Sequence, residues 1–172
     1  MNEQTRMTHP RLEPELFESL RDSIREVIET MVFMSPETVE SITHLVDQPH
    51  VVFAGEVVGM LGFTGTRSGS VVVCCSEHLC REIAARMLTI EPGELAGFEE
   101  AADAFGEVVN MITGSFKDSW VAKGNEMSLA VPTVTRHGAV SINHTDQGIS
   151  CGIRVMLEGN PLDVTVLFAA GD

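Results

Sequence analysis

The stretch EEAADAFGEVVNMITGSFKDSW, residues 99–120, decides the fold expected for this 172-residue chain. At about 100° per residue, one side of a helix collects the apolar residues Ala101, Ala104, Phe105, Val108, Val109, Ile112 and Phe116. The opposite side carries Asp103, Glu107 and Asn110 in a narrow ridge. An apolar half beside a polar half is typical of a helix that packs on a core. We therefore expect a long helix on a sheet, with an acid-and-amide ridge directed away from it.

Two glycines and a lysine lie on the ridge side of this helix. Gly106 and Gly114 each cost on the order of 1 kcal/mol relative to Ala in a helix interior, and Lys117 is their neighbour on the helical wheel. A solvated face has no need of glycine, whereas a face that another backbone approaches closely does. The pattern therefore favours contact between the ridge and another molecule. The alternative is that the acids are ordinary solvated side chains and Asn110 is a neutral surface residue.

The other periodicities predict two more helices and several short strands. Apolar residues recur at helical spacing over 14–34, and Ser35 and Pro36 follow as a stop and possible restart of a helix. Ser76 is expected to cap a helix that runs to Leu88. Strands are expected at 51–53, 57–63, 70–75, 128–134, 138–143, 150–158 and 162–169, with turns at Gly55, 65–69, 146–148 and 159–161.

The order of these elements predicts an α+β fold, with two long helices packed on a largely antiparallel sheet. Residues 1–14 are expected to be a flexible lead-in and residues 15–172 a single domain. The two long helices align at an offset of 81 residues, which pairs Asp22 with Asp103, Glu26 with Glu107 and Glu29 with Asn110. We therefore interpret the chain as two pseudo-repeats, at about 15–90 and 96–170, related by a pseudo-two-fold axis.

The composition excludes several classes of partner. The chain has 25 acidic and 11 basic residues, a formal net charge of -14 and only two lysines, so no binding to nucleic acid or to an anionic membrane is expected. The N-terminus has no apolar leader and the apolar runs are far short of the ~20 residues of a membrane span, so a cytoplasmic location is expected. Four cysteines and six histidines lack metal-ligand spacing, so we expect reduced, structural cysteines and no metal site.

The ridge carries a recognisable motif. Asp103-Ala-Phe-Gly-Glu107-Val-Val-Asn110, followed 22 positions later by Pro132, resembles the signature of the CheC/CheX/FliY phosphatases of bacterial chemotaxis. That signature is an acid or Ser, three residues, Glu, two residues, Asn, and a Pro just over twenty residues on. The run that continues to Lys117 also resembles the active helix of the family. The resemblance extends over nearly the whole chain and implies the pseudo-two-fold fold of CheC-like proteins.

The number of intact sites indicates one branch of that family. CheC-type members carry the Glu–Asn pair on both pseudo-symmetric helices, whereas the first helix here has Asp22 and Glu26 followed by Glu29 in place of Asn. One intact site with a degenerate first half resembles CheX, which is a homodimer in the family. The resemblance therefore implies a homodimer, and it carries catalytic roles to Glu107 and Asn110 only.

The activity implied by the resemblance is hydrolysis of the phosphoaspartate of a response regulator such as CheY. Asn110 would position the attacking water, and Glu107 would pair with a lysine of the regulator. Partner contact is expected from Asp103, Gly106, Gly114 and Lys117. The chain would need no cofactor of its own, because the regulator supplies Mg²⁺. The alternative is a non-catalytic adaptor that binds a response regulator on the same scaffold.

Overall fold

The computed structural model of the chain describes residues 14–42, 50–143 and 150–169. Their elements, in chain order, are α1 (Pro14–Thr30), β1 (Thr38–Ile42), β2 (His50–Gly65), β3 (Gly69–Cys75), α2 (Glu77–Leu88), α3 (Phe98–Ala122), β4 (Met127–Leu129), β5 (Thr133–Asn143), β6 (Ser150–Leu157) and β7 (Asn160–Phe168). A single 3₁₀ turn, Pro92–Glu94, lies between α2 and α3. The expected turn at 146–148 and the expected lead-in, apart from Pro14, lie outside the described residues.

Helix α1 forms where the apolar spacing predicts it, but it ends at Thr30 rather than at residue 34. Its buried apolar side chains are Leu16, Leu20, Ile24, Val27 and Ile28. Past Thr30, the N–H of Met34 donates to the carbonyl of Ile28 at 3.1 Å, and Phe33 takes a left-handed conformation with φ 58°. The left-handed residue turns the chain out of the helix, and the bond from Met34 ties the following segment to its last turn.

The possible helix restart at Ser35 and Pro36 is wrong, because the chain joins the sheet there. The N–H of Glu37 donates to the carbonyl of Met156 at 2.9 Å. Strand β1 then pairs with β6, antiparallel, over its whole length. Inter-strand hydrogen bonds therefore take the place of the helical ones.

Two local predictions are confirmed. The Ser76 hydroxyl accepts a hydrogen bond from the N–H of Leu79 at 3.1 Å and so caps α2. Residues 65–69 form the hairpin turn between β2 and β3. The turn between β6 and β7 uses Glu158 and Gly159 at positive φ, 49° and 76°, as a tight two-residue hairpin requires.

The predicted turn at Gly55 is wrong, because β2 runs unbroken through it. Gly55 lies opposite Gly138 of β5, and the pairing continues on both sides of that pair. Strand β5 is likewise continuous over 133–143, where the sequence predicts a break before 138. Two long strands that pair with each other satisfy their backbone groups along the whole ladder, so an isolated glycine does not interrupt them.

In the described residues, seven strands form one sheet in the order β1-β6-β7-β3-β2, with β4 and β5 both on the outer edge of β2. The order is symmetrical about the central β3–β7 pair, since hairpin β6–β7 matches hairpin β2–β3 and β1 matches β5. Helix α1 packs over β6, and α3 packs over β2 and β5. The predicted α+β class, with two long helices on an antiparallel sheet, is confirmed. The symmetrical order is the arrangement that two pseudo-repeats would give.

The main core fills the space between the helices and one face of the sheet. Alternate residues of the central strands point into it and are fully buried, namely Val71, Val73, Val164 and Val166. A smaller apolar cluster occupies the other face. It consists of buried Phe53, Val58, Val72 and Leu167 with half-buried Met60, Cys74, Val140 and Ile142 around them.

Candidate functional site

Helix α3 lies close to the sheet because a glycine is beneath it. A Cβ added to Gly59 of β2 would be 2.7 Å from Cγ2 of Val109 and 3.2 Å from Cε1 of Phe105, both on α3. Real Cβ atoms essentially never approach another heavy atom as closely as 2.7 Å. Gly59 therefore sets the height of α3 above β2. Sequence reasoning missed this residue, although an isolated glycine in a strand pattern is a known indication of close approach.

The ridge of α3 is open to solvent. Asp103 and Glu107 are exposed and Asn110 is half-buried, and their spacing places the three side chains one turn apart on one helix face. No hydrogen bond or ion pair joins these side chains to another residue within 14–42, 50–143 or 150–169. A carboxylate can hold a cationic group, and a carboxamide can both donate to and accept from a water. The ridge can therefore dock a cation and orient a water.

The expectation that Gly106 lies on the exposed ridge is wrong. Gly106 is buried, and a Cβ at this position would meet Cγ2 of Val134 at 3.5 Å and Cγ of Pro132 at 4.0 Å. The start of β5 thus covers this side of α3. The helical wheel could not show it, because a second element buries a strip of the helix that the wheel assigns to its polar half.

Gly114 and Lys117 lie in more open surroundings than Gly106. Both are half-buried, and no other element of the described residues has an atom within 4 Å of the position of a Gly114 Cβ. The surface above Gly114 is therefore accessible to a large group from outside the chain. The contact with a partner expected of these two residues stays a prediction.

A strand bulge lies beside the ridge, between β4 and β5. The N–H of Ala130 donates to the carbonyl of Gly62 at 2.9 Å, and Thr133 pairs with Met60. Val131 and Pro132 together therefore lie opposite the single residue Leu61, which is the definition of a β-bulge. Proline inside a strand pattern is tolerated at such positions, so Pro132 was the available sequence signal for it.

The polar face of α1 differs from the ridge of α3 in its contacts. Asp22 accepts hydrogen bonds from Arg21 at 2.9 and 3.0 Å, and Glu29 forms an ion pair with Arg25 at 3.5 Å. Glu26 accepts a hydrogen bond from the hydroxyl of Ser115 on α3, at 2.7 Å. Each acid that aligns with a ridge residue is therefore engaged within the chain.

An ion-pair cluster fixes the start of α3. Arg136 of β5 stacks on the ring of Phe98 at 4.9 Å and donates to both carboxylate oxygens of Glu77, at 2.8 and 2.9 Å. The hydrogen bond from Arg136 is the main reason that the pKa of Glu77 lies below its usual value. Desolvation opposes this shift, and a further hydrogen bond from Arg81 adds to it. The cluster ties α2, β5 and the first turn of α3 together.

Within the described ranges, no three His, Cys, Asp or Glu residues group in a way that could hold a metal ion. The described helices include none that is both long enough and apolar enough to cross a membrane. Burial raises the pKa of the thiols of Cys74 and Cys151 to about 11, with Asp163 adding to the effect at Cys74.

The fold and the candidate site together define a class of protein. It is an α+β fold with a symmetrical strand order that presents an acid and an amide from one helix face. The chain belongs to the chemotaxis phosphatase CheX family, whose sequence model matches residues 57–155. The matched region contains α3 with its ridge and the bulge beside it. No curated protein matches the chain by sequence.

Solved structures of similar fold span nearly the whole chain. A CheX protein from Desulfovibrio desulfuricans is 21% identical with a TM-score of 0.73, covering 90% of this chain and 99% of that one. A CheC-like superfamily protein from Shewanella sp. PV-4 is 25% identical with a TM-score of 0.73, covering 92% and 100%. CheX from Borrelia burgdorferi, solved in complex with CheY, BeF3 and Mg²⁺, is 19% identical with a TM-score of 0.69, covering 89% and 97%. The resemblance to the CheC/CheX/FliY family, and to CheX within it, is confirmed.

Proposed function

We propose that this protein hydrolyses the phosphoaspartate of a response regulator of the CheY type. The observation that carries the proposal is the ridge of α3, where exposed Glu107 and half-buried Asn110 have no hydrogen-bond or ion-pair partner among the described residues. Membership of the CheX phosphatase family and the CheX–CheY complex of B. burgdorferi support it.

Asn110 positions the attacking water in this proposal. An acyl phosphate is already activated, so a helper needs mainly to hold a water in line with the phosphorus. A carboxamide suits this role, because it hydrogen-bonds a water without adding a negative charge that would repel the phosphate. The half-buried position of Asn110 limits the motion of its side chain.

Glu107 docks the regulator by pairing with a lysine beside the phosphorylated residue. A carboxylate near a phosphate is unfavourable on its own, so its value depends on that cationic partner. Asp103 lies one turn back on the same face and extends the acidic contact. The regulator supplies the Mg²⁺ that neutralises the developing charge, so the chain needs no metal of its own.

The test is release of phosphate from purified CheY-type regulators phosphorylated with a small acyl phosphate donor. The protein should accelerate release, and Asn110→Ala should lower the rate about 100-fold or more while the fold and regulator affinity persist. Glu107→Lys should instead lose affinity. If Asn110→Ala keeps the full acceleration, the water-positioning role is wrong. Binding without any acceleration would identify the protein as a non-catalytic adaptor.

We also propose that the protein is a cytoplasmic homodimer, as the resemblance to CheX implies. The apolar cluster on the sheet face opposite the helices supports association of two copies, since Met60, Val140 and Ile142 around it are only half-buried. Sedimentation equilibrium should give twice the chain mass. A monomer at micromolar concentration would contradict this.

A further inference from the structure

Among the described residues, the most exposed large apolar side chain stands beside the ridge. Val131 is 82% exposed, and it belongs to the bulge whose second residue, Pro132, packs against α3 at Gly106. Gly106 directly precedes Glu107 and lies one turn before Asn110. The Cα atom of Val131 is about 3.8 Å from that of Pro132. Val131 therefore lies next to the ridge residues Glu107 and Asn110.

The backbone that carries Val131 is held on both sides. Ala130 bonds to β2 through its N–H, Thr133 pairs with Met60, and Pro132 has a fixed φ. An apolar side chain on a bulge so constrained loses little freedom when a partner covers it, and such preorganisation favours binding. Bulges also occur often next to active sites, where they redirect a side chain.

The ridge itself lacks an apolar contact. Asp103, Glu107 and Asn110 offer charge and an amide, and exposed charges contribute to association rate and orientation more than to affinity. The centre of a protein interface is usually apolar, with a few buried anchors that supply most of the binding energy. Val131 is placed to supply such an anchor next to the chemistry.

We propose that Val131 is the apolar anchor for the receiver domain of the phosphorylated regulator, packing against an apolar side chain beside its acyl phosphate. The proposal rests on the function proposed above and adds a docking residue to it. Val131 acts on affinity and takes no part in the chemical step. Truncation therefore raises the dissociation constant and the KM and leaves the saturated rate unchanged.

The experiment compares Val131→Ala and Val131→Asp with the matched variants Val121→Ala and Val121→Asp. Val121 is 44% exposed in the last turn of α3, about 22 Å along the helix axis from Gly106. The affinity of each variant is measured for CheY-type receiver domains activated with beryllofluoride and Mg²⁺. The saturated rate is measured as single-turnover phosphate release from the phosphorylated regulator at saturating protein. We expect about a fivefold loss of affinity for Val131→Ala and at least a tenfold loss for Val131→Asp, with wild-type saturated rates and no effect at Val121.

Each outcome separates the anchor from the function. If the wild type accelerates release but Val131→Asp binds as tightly as wild type, the anchor is wrong and the function stands. If the wild type binds without acceleration and Val131→Asp weakens binding, the anchor stands on an adaptor. If Val131→Asp changes the sedimentation mass and not the affinity, the bulge contacts a second copy and the proposal is overturned. If the wild type neither binds nor accelerates, both proposals fail.

Discussion

Helices α1 and α3 carry polar residues in the same register but use them differently. Asp103 and Glu107 of α3 align with acids of α1, and only Asn110 aligns with a different residue type, Glu29. Asp22, Glu29 and Glu26 of α1 bond to Arg21, Arg25 and Ser115 respectively. Asp103 and Glu107 of α3 bond to no residue within the described ranges.

The difference shows what separates a candidate site from a solvated helix face. Sequence spacing gives both helices a polar stripe, and the neighbours of the stripe decide whether its groups remain available. Arginines one and four residues away on α1 neutralise Asp22 and Glu29, and exposed pairs of this kind contribute little to stability. The ridge of α3 has no basic residue in these positions, so an external cation can bind there.

The largest expected effect comes from making α3 resemble α1. Asn110→Glu should reduce regulator dephosphorylation at least 100-fold, because a second carboxylate repels the phosphate and cannot donate to the water. The measurement is phosphate release from a phosphorylated CheY-type regulator. Glu29→Asn is the matched control, and it should keep the wild-type rate. A comparable loss in both variants would show that α1 also takes part in catalysis.

The next largest effect concerns the strand residue that lies beneath each helix. Gly59 lies opposite Val73 beneath α3, while Cys151, opposite Val166, occupies the corresponding place in β6 beneath α1. Gly59→Ala should destabilise the protein by about 1–3 kcal/mol, because its Cβ would overlap Val109. Urea unfolding measures the change.

Gly62→Ala is the control for that prediction on the same strand. Its Cβ would find only ordinary contacts, Gly69 O at 3.9 Å and Ala130 Cβ at 4.0 Å. Stability should stay unchanged or rise by up to about 1 kcal/mol. Equal losses in both variants would mean that β2 tolerates no side chain at either glycine and that Gly59 has no special role under α3.

A smaller effect distinguishes the two glycines of α3. Gly106→Ala and Gly114→Ala should each raise the free energy of unfolding by up to about 1 kcal/mol, because alanine is the better helix former and neither Cβ clashes. Only Gly114→Ala should also weaken regulator binding, since only Gly114 faces open space. Isothermal titration with activated receiver domains checks this. Unchanged affinity of Gly114→Ala for the receiver domain would mean that Gly114 does not contact the regulator.

The smallest effect is expected on α1. Asp22→Asn and Glu29→Gln remove exposed pairs with Arg21 and Arg25, and each should change the free energy of unfolding by less than about 0.5 kcal/mol. Thermal unfolding followed by circular dichroism is the measurement. A loss above about 1 kcal/mol would show that these pairs do more than neutralise the helix face.

The sequence predicts correctly those elements whose hydrogen bonds join residues close together in the chain. The sequence predicts helix α3 over 99–120 and the structure has it at Phe98–Ala122, since its backbone bonds and its apolar stripe both repeat within four residues. The capping of α2 by Ser76 followed from the same short-range chemistry. The exposure of Asp103 and Glu107 is also predicted correctly, because it follows from the same helical periodicity.

Predictions failed where a distant strand decides the conformation. Ser35 and Pro36 resemble a helix start, but β6, from the other half of the chain, draws the segment into the sheet. Gly55 has the sequence of a turn, but pairing with β5 keeps it in a strand. Gly106 lies on the polar side of the helical wheel, but Val134 covers it. The bulge at Val131 depends on the register of two ladders, which no single segment encodes.

The symmetrical sheet also governs how the chain can fold. Edge strand β1 pairs with β6 and edge strand β5 pairs with β2, so each half of the chain completes the sheet of the other. Thr38 meets Met156 roughly 120 residues further along the sequence, and such distant contacts slow folding because the chain must first close long loops. From its own strands each half can form only one hairpin, so a fragment ending after α2 should remain unfolded. We therefore expect α3 and the sheet beneath it to form in a single cooperative step.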